Sequence, residues 1–549
     1  MTDRDEKNTE SVPPGGRLPK AVRRLQFTRA EEGETRDGRG SPKDGLVEFV
    51  VASRRAFRGP EGRKRSREQT EHVVQPLRAS FDLLSDLAQP EDGGRRILRL
   101  RGTQEDLMAK FREIDHEHLV VDGVVPRHLA VSTQPLIRLL RATPSEEVPA
   151  GEQPLRLSLR AAGDPVRGAR VDLYLVDKNR RSVRLFGTSD ESGVVSFAHS
   201  AALTPVVAQI EPAGGAWGAV VHSPRDGAQV DLPRLVLDGP MGWWQLVVGA
   251  QGWDAGAGAG IRIGVADTGV GPHPFLDHVT RVGAFLGGAH LTEAGAGLDV
   301  ANHGTHVCGL IGARPSPEGK GYGGIAPSAE LYCARVFESA TSAATNADIT
   351  AAVDEFADYY EVDLVNLSLA GPASALEADA ILFAYEQGTL CICAAGNDGD
   401  SHISFPAALP CSAAISALGL MGQAPAGSLS AQNLPRDPSK IAALGLFLAS
   451  FSSFGDGVSV TAPGNGIIST VPATNFDAEP YAPMDGTSMA APIAAGALAA
   501  LLSRSGTYKG MERGIRKSQF ATTALLRAAQ DIGLQPAYQG MGIARQGSL

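Results

Sequence analysis

Four polar side chains stand at places where the surrounding text is apolar or glycine-rich. They are Asp267 in "IGVADTGVG", His303 in "NHGTHVCG", Asn397 in "AAGNDGD" and Ser488 in "DGTSMAAP". Each alone has an ordinary explanation. Asp267 and Asn397 suit turns, His303 suits a hydrogen-bonded core position, and Ser488 suits a helix N-cap. Together they supply what acyl transfer needs. A serine hydroxyl is a weak nucleophile, so it requires a neutral imidazole to take its proton, a carboxylate to hold the tautomer, and a donor for the oxyanion.

The elements that must carry these groups follow from the same text. "IRIGVADTG", "AELYCARVF", "VDLVNLSLAG" and "LCICAAGN" read as near-continuous apolar strands, with helical stretches such as "ADITAAVDEFADYY" and "ALEADAILFAYEQG" between them. That alternation predicts an α/β domain with a parallel sheet covered by helices on both faces. In such a sheet, functional residues gather at the carboxyl ends of the strands. "MAAPIAAGALAALL" reads as a buried helix, with Ser488 in its first turn, where backbone N–H groups lack intrahelical partners.

The texts "DTGVGPHP", "HGTHVCG", "VNLSLAG", "AAGN" and "GTSMAAP", in that order, resemble the subtilisin-like serine peptidases, the subtilases, over about residues 240–549. The resemblance implies a serine endopeptidase acting through an acyl-enzyme, with the alternative of a catalytically silent subtilase-fold binding or regulatory protein. Carried over motif by motif, Asp267 is the orienting carboxylate, His303 the general base and later acid, Ser488 the nucleophile and Asn397 the oxyanion donor. His306 is the second histidine of its motif, packed and hydrogen-bonded on the helix. The strand text from Asn366 to Gly371 implies a substrate-binding edge, assigned to Ser368, Leu369 and Ala370. Ala370 stands where relatives frequently carry glycine, which narrows a subsite. Asp398 adds negative charge near the primary pocket and favours Lys or Arg there. About Gln423 to Ala449 is an extra segment with an apolar run, suited to a flap over the cleft or a docking surface for a partner, and docking within the same chain is the expectation. The loop "ARPSPEGKGYGG" offers few ligands for calcium, so no metal or other cofactor is assigned.

A chain of 549 residues suggests two to four domains. Residues 1–70 are rich in charge, Gly and Pro and are expected to form a largely disordered tail, with one strand at "LVEFVVASR". Residues 71–150 read as a small α+β module: "ILRLR", "TQEDLMAKFREI" behind a Thr103 cap, "HLVVDGVV", "HLAVS" and the short helix "QPLIRLL". Its strand and helix order is similar to that of a subtilase pro-domain, which implies a module that assists folding and inhibits the cleft through its C-terminal tail. Because a sandwich stands between it and the peptidase, where a pro-domain normally adjoins, either self-processing near 145–152 leaves the sandwich attached or the module is a permanent accessory. The linker "ATPSEEVPAGEQP" follows. Residues 151–238 predict a β-sandwich resembling transthyretin-like or carboxypeptidase-regulatory modules. Residues 239–549 form the peptidase-like domain.

The net charge of −10 argues against a nucleic-acid partner. Five irregularly spaced cysteines suggest reduced thiols. The first residues lack an apolar signal region and no run reaches the length of a membrane span, so the expectation is cytoplasmic. The partners expected are a protein or peptide substrate, and N-terminal modules that dock on the peptidase domain or recruit a protein.

Overall fold

The computed structural model describes residues 46–547 apart from 91–92, 114–116, 132–152, 180, 316–319 and 474–479. The readings of 1–45, of "QPLIRLL" and of the linker up to residue 152 lie outside the described residues.

The first module runs β1 (Leu46–Ser53), α1 (Pro60–Ser80), β2 (Asp82–Ala88), β3 (Arg96–Thr103), α2 (Gln104–Glu113) and β4 (Leu119–Gly123). Its sheet has the order β2-β3-β1-β4, antiparallel throughout. Successive residues of a strand point to opposite faces, and β1 uses both. Phe49 and Val51 join Val74, Leu77, Leu98, Leu100 and Phe111 under the module's own helices. Val50 and Ala52 join Phe356, Ile381 and Phe383 of the third domain. Residues 46–70 therefore belong to this module and not to a charged tail. The helix start escaped the apolar pattern because two of its four buried positions, Ser66 and Thr70, are hydroxyl residues. Thr70 Oγ1 donates to the Ser66 carbonyl at 2.8 Å, which satisfies it without a partner outside the helix.

The sandwich comprises β6 (Gln153–Ala161), β7 (Asp164–Pro165), β8 (Arg170–Val176), β9 (Ser182–Thr188), β10 (Val194–His199), β11 (Thr204–Glu211), β12 (Ala219–His222) and β13 (Ala228–Asp231). One sheet is β10-β6-β13 with β7 on β6, the other β12-β11-β8-β9. Alternate residues Leu155, Leu157, Leu159 of β6 and Val171, Leu173, Leu175 of β8 fill the space between them.

In the third domain β14 (Arg262–Asp267), β15 (Thr280–Leu286), β17 (Glu330–Arg335), β19 (Leu364–Leu367), β21 (Leu390–Ala394), β22 (Ser412–Leu420) and β24 (Val460–Pro463) run parallel. β16 (Ala289–Leu291) and β23 (Leu446–Leu448) pair antiparallel at the two sides. The helices that position the site are α3 (His303–Gly312), α4 (Asn346–Asp358), α5 (Ala375–Glu386) and α6 (Thr487–Ser503). All 17 residues of α6 are buried, since Ala, Gly and Ser at most positions let neighbouring backbones close on it. The cysteines are buried free thiols. Among the described residues no helix is long and apolar enough to cross a membrane.

The first module is seated on α4 and α5 by charge. The Arg95 guanidinium is fully buried, pairing through Nε with Asp354 and through Nη1 with Asp379 at 2.7 Å, while Nη1 also donates to the Ser53 carbonyl at 2.8 Å. Arg55 pairs with Asp354 and Asp358 and lies 3.8 Å over the Phe383 ring. Asp122 accepts from Ser374 Oγ at 2.7 Å and the Leu376 N–H at 3.1 Å, so a carboxylate of the module sits at the positive end of α5.

The sandwich is joined to the third domain along a backbone seam. The Val220 N–H donates to the Gly427 carbonyl at 3.0 Å, the Leu429 N–H to Gly218 at 3.1 Å, and the Gly215 N–H to Tyr481 at 2.8 Å. A Cβ on Gly218 would meet Leu429 Cδ1 at 2.6 Å, so the close approach depends on glycine. The extra segment thus makes its contact within the chain, and its end adds β23 to the sheet.

Arg95→Ala leaves Asp354 and Asp379 buried without their main partner, a loss of about 3–5 kcal/mol for such a cluster. Amide exchange across Leu46–Ser53 is expected to rise by two orders of magnitude or more, with the exchange of Val171–Leu175 in the sandwich unchanged.

Candidate active site

β14 ends on Asp267, and α3 begins on His303. The His303 Nδ1–H donates to Asp267 Oδ1 at 2.6 Å, and both side chains are within 2% of full burial. The Thr268 N–H donates to the same oxygen at 2.7 Å. A carboxylate on Nδ1 holds the imidazole with Nε2 free to accept a proton, and His303 Nε2 is buried without a hydrogen-bond partner among the described residues.

The start of α3 is held by a residue that sequence reasoning passed over. Asp299 accepts from Thr268 Oγ1 at 2.7 Å, from the Thr305 N–H at 2.8 Å and from the Ala301 N–H at 2.9 Å. Thr268 Oγ1 in turn accepts from the Gly304 N–H at 2.8 Å. Burial pushes the Asp299 carboxyl up, and its hydrogen bonds from Thr305, Ala301 and Thr268 oppose that. Gly304 has no room for a side chain: a Cβ there would lie 2.1 Å from the Gly269 carbonyl oxygen. The only local signal for Asp299 was a carboxylate a few residues before the helix, which reads as an ordinary turn or first-turn acid.

His306, one turn along, is fully buried. Its Nε2–H donates to the carbonyls of Ile467 and Ala482, each at 3.1 Å. Loss of solvation, with the neighbouring His303 ring adding to it, lowers its pKa to about 3. It is a neutral structural tie between α3 and the strands β25 (Ile467–Thr470) and β26 (Tyr481–Met484).

Ser488 lies in the first turn of α6. Its Oγ donates to the Ser368 carbonyl at 2.9 Å, and Ser368 Oγ donates back to the Ser488 carbonyl at 2.8 Å. Asn397, in the loop after β21, accepts through Oδ1 from the Thr487 N–H at 3.0 Å and from Thr487 Oγ1 at 2.9 Å. That tether turns its NH₂ edge away from Thr487. Asp398 is exposed, and its N–H donates to Ser453 Oγ at 3.2 Å. Asp485, three residues before Ser488, accepts from Ser430 Oγ at 2.9 Å and the Gly466 N–H at 2.6 Å; burial pushes its pKa up to about 6.

The resemblance to a pro-domain implied that the tail of the first module lies in the cleft, but not which residues do. After β4 the chain forms β5 (Pro126–Leu129), which lies between β18 (Ala344–Thr345) and β20 (Leu369–Ala370), antiparallel to both. Leu129 is opposite Leu369 and His128 opposite Ala370. The Ala130 N–H donates to the Ser368 carbonyl at 3.3 Å, and the Ser488 N–H donates to the Ala130 carbonyl at 3.1 Å. Gly486 permits this approach, since a Cβ on it would stand 2.3 Å from the Ala130 oxygen. Ser368, Leu369 and Ala370 therefore form the edge that binds an extended segment of the same chain. The carbonyl presented to Ser488 is that of Ala130, upstream of the 145–152 stretch expected from the sequence. The text "HLAVS" read as a strand, but nothing local told where it pairs.

A carboxylate, an imidazole and a hydroxyl at a helix N-terminus, beside an extended backbone bound edge to edge, constitute the equipment of a serine endopeptidase. The chain belongs to the subtilase family: residues 258–542 match that family's model. It is 34% identical over 257 residues to subtilisin Savinase of Lederbergia lenta, covering 46% of this chain and 81% of that protein. With subtilisin DY of Bacillus licheniformis the identity is 32% over 280 residues, 50% of this chain and 87% of the relative. Among solved structures, fervidolysin from Fervidobacterium pennivorans, described as a keratinolytic enzyme related to subtilisin, superposes with a TM-score of 0.55 at 19% identity. That match covers 92% of this chain and 61% of fervidolysin, and it is a likeness of fold.

The depressed pKa of His306 sets a pH dependence. The unfolded chain binds a proton at this histidine below its ordinary value near 6.5 and the native state does so only near 3, so this contribution to stability is complete above 6.5 and is lost as pH falls toward 3. One proton corresponds to a slope of about 1.4 kcal/mol per pH unit. Urea unfolding of Ser488→Ala protein between pH 4 and 6 is expected to become shallower in its pH dependence by about that amount when His306→Gln is added, the buried His273 and His278, both lowered to about 4, keeping the rest of the slope.

Proposed function

We propose that Ser488, His303 and Asp267 act as a catalytic triad, and that the chain's first reaction is cleavage of its own Ala130–Val131 bond. The observation that carries this reading is the Ser488 N–H donating to the Ala130 carbonyl while β5 lies paired in the groove. In the mechanism, Ser488 Oγ leaves the Ser368 carbonyl by rotation about its first side-chain torsion and gives its proton to His303 Nε2 as it attacks the Ala130 carbonyl carbon. Asp267 stabilises the imidazolium that forms. The oxyanion is met by the Ser488 N–H and by Asn397 Nδ2, which the Thr487 tether on Oδ1 orients. His303 then passes the proton to the Val131 nitrogen as the bond breaks. Water, deprotonated by His303, releases the acyl-enzyme.

Cleavage there separates residues up to Ala130 from a product that keeps the sandwich and the peptidase domain together. The β1 to β5 module would remain seated through Arg55, Arg95 and Asp122, with its new carboxyl end in the groove. A sandwich between a pro-domain-like module and the peptidase is compatible with this cleavage, since the seam at Gly218 and Leu429 holds the sandwich to the peptidase domain without the first module.

Intact mass and N-terminal sequencing of full-length protein are expected to give a new terminus at Val131, with a fluorophosphonate labelling Ser488 alone. Ser488→Ala is expected to stay at full mass and unlabelled; cleavage in that variant, or a terminus in the 145–152 stretch, would remove the reading. Asn397→Ala is expected to slow turnover by about 10²–10³, the loss seen when the matching donor is removed from subtilisin.

A further inference from the structure

The segment in the groove presents an arginine three residues before Ala130, and the peptidase domain has a fitted receptacle for it. Arg127 is fully buried. Its Nε and Nη2 donate to Glu377 Oε2 at 3.1 and 2.9 Å, and its Nη1 donates to the Pro126 carbonyl at 3.0 Å. The guanidinium carbon is 5.2 Å from the centre of the Phe405 ring. The wall is Gly371, where a Cβ would lie 2.7 Å from Arg127 Nη1 and 2.6 Å from the Pro126 oxygen. The Gly371 N–H donates to the Phe405 carbonyl at 3.0 Å, so wall and ring are held together.

We infer that this pocket, with Glu377 at its base, makes the enzyme select polypeptides carrying Arg three residues before the residue whose carbonyl is attacked, with a small residue such as Ala at that last position. The inference rests on the peptidase reading above and names its substrate class. Glu377 belongs to the peptidase domain, in the first turn of α5, where the Ser374 side chain caps its N–H. It is 1% exposed, and its Oε1 has no hydrogen-bond partner among the described residues. When Arg127 departs, Glu377 is left as a buried carboxylate without its cation, a costly state that an incoming guanidinium relieves. Burial raises the Glu377 carboxyl and Arg127 is the main influence holding it down, with the nearby Asp122 raising it further. Lysine answers poorly, because its point charge cannot make the forked pair or lie flat beside Phe405.

The alternative is that Arg127–Glu377 serves only to seat the chain's own module, and peptides supplied in trans separate the two. Protein that has completed its own processing, and from which gel filtration shows the cleaved β1 to β5 module to have been released, is offered Arg-His-Leu-Ala, Lys-His-Leu-Ala and Leu-His-Leu-Ala, each acylating the same aminocoumarin. The Arg peptide is expected to exceed the other two in kcat/KM by at least about 30-fold, since a site built to hydrogen-bond a group rejects analogues lacking it. Glu377→Gln is expected to lose that preference, the ratio of kcat/KM for the Arg peptide to that for the Leu peptide, both measured in the variant, falling at least about tenfold. Equal turnover of the three peptides by the wild type, or an undiminished Arg preference in Glu377→Gln, overturns the proposal. If no peptide is turned over and Ser488 takes no fluorophosphonate, the peptidase reading fails. The pocket is then decided by amide exchange in Ser488→Ala protein: Glu377→Gln and Arg127→Leu are each expected to speed exchange of the Ala130 N–H at least tenfold, and an unchanged rate in both overturns it.

Discussion

The organisation of this enzyme depends on where the first N–H groups of one helix find acceptors. A helix opens with backbone donors that its own carbonyls cannot reach, and α6 opens in the core, where water cannot supply them. The Thr487 donor goes to Asn397 and the Ser488 donor to Ala130. The first of these ties the helix to the end of β21, and the second ties it to a strand from another module. The same unmet donors that would destabilise a buried helix end thus become the positions where a polarised carbonyl can be accepted.

Around that point, backbone and charge divide the work of holding the three modules together. The extended segment β5 is bound through main-chain ladders on both edges, which are indifferent to side-chain identity, and Arg127 with its carboxylate adds a chemical preference. The first module is seated by arginines inserted between α4 and α5. Such a buried cluster is a poor source of net stability but penalises any misaligned arrangement, because each missing partner leaves a charge in apolar surroundings. The alternate faces of β1, one toward its own helices and one toward Phe356 and Phe383, leave this central strand no face for water.

The sequence made the site far more legible than its contents. Asp267, His303, Asn397 and Ser488 stood out because each breaks an apolar or glycine-rich text at a strand or helix end, where position along the element announces position in space. Ser368 to Ala370 were assigned to a substrate-binding edge by the resemblance to the subtilases and not by any local pattern. The resemblance put the tail of the first module in the cleft but not the residues that pair there, since "HLAVS" carries only the local pattern of a strand and its pairing with residues some 215 to 240 positions away is decided by tertiary packing. Glu377 was invisible for a related reason: an acid in the first turn of a helix has a sufficient explanation in the helix itself. The beginning of α1 was hidden by hydroxyl residues at its buried positions, and Asp299 by its resemblance to a turn.

The seam between sandwich and peptidase has a mechanical meaning. Leu429 bonds to the sandwich at Gly218, the next residue, Ser430, bonds to Asp485, and Asp485 stands three positions before Ser488. A tug on the sandwich therefore has a route of two hydrogen bonds and a few covalent steps to the nucleophile's loop. The brace at Leu429 and Ser430 is thus shared, one residue anchoring the seam and the next the loop that leads into the nucleophile's helix.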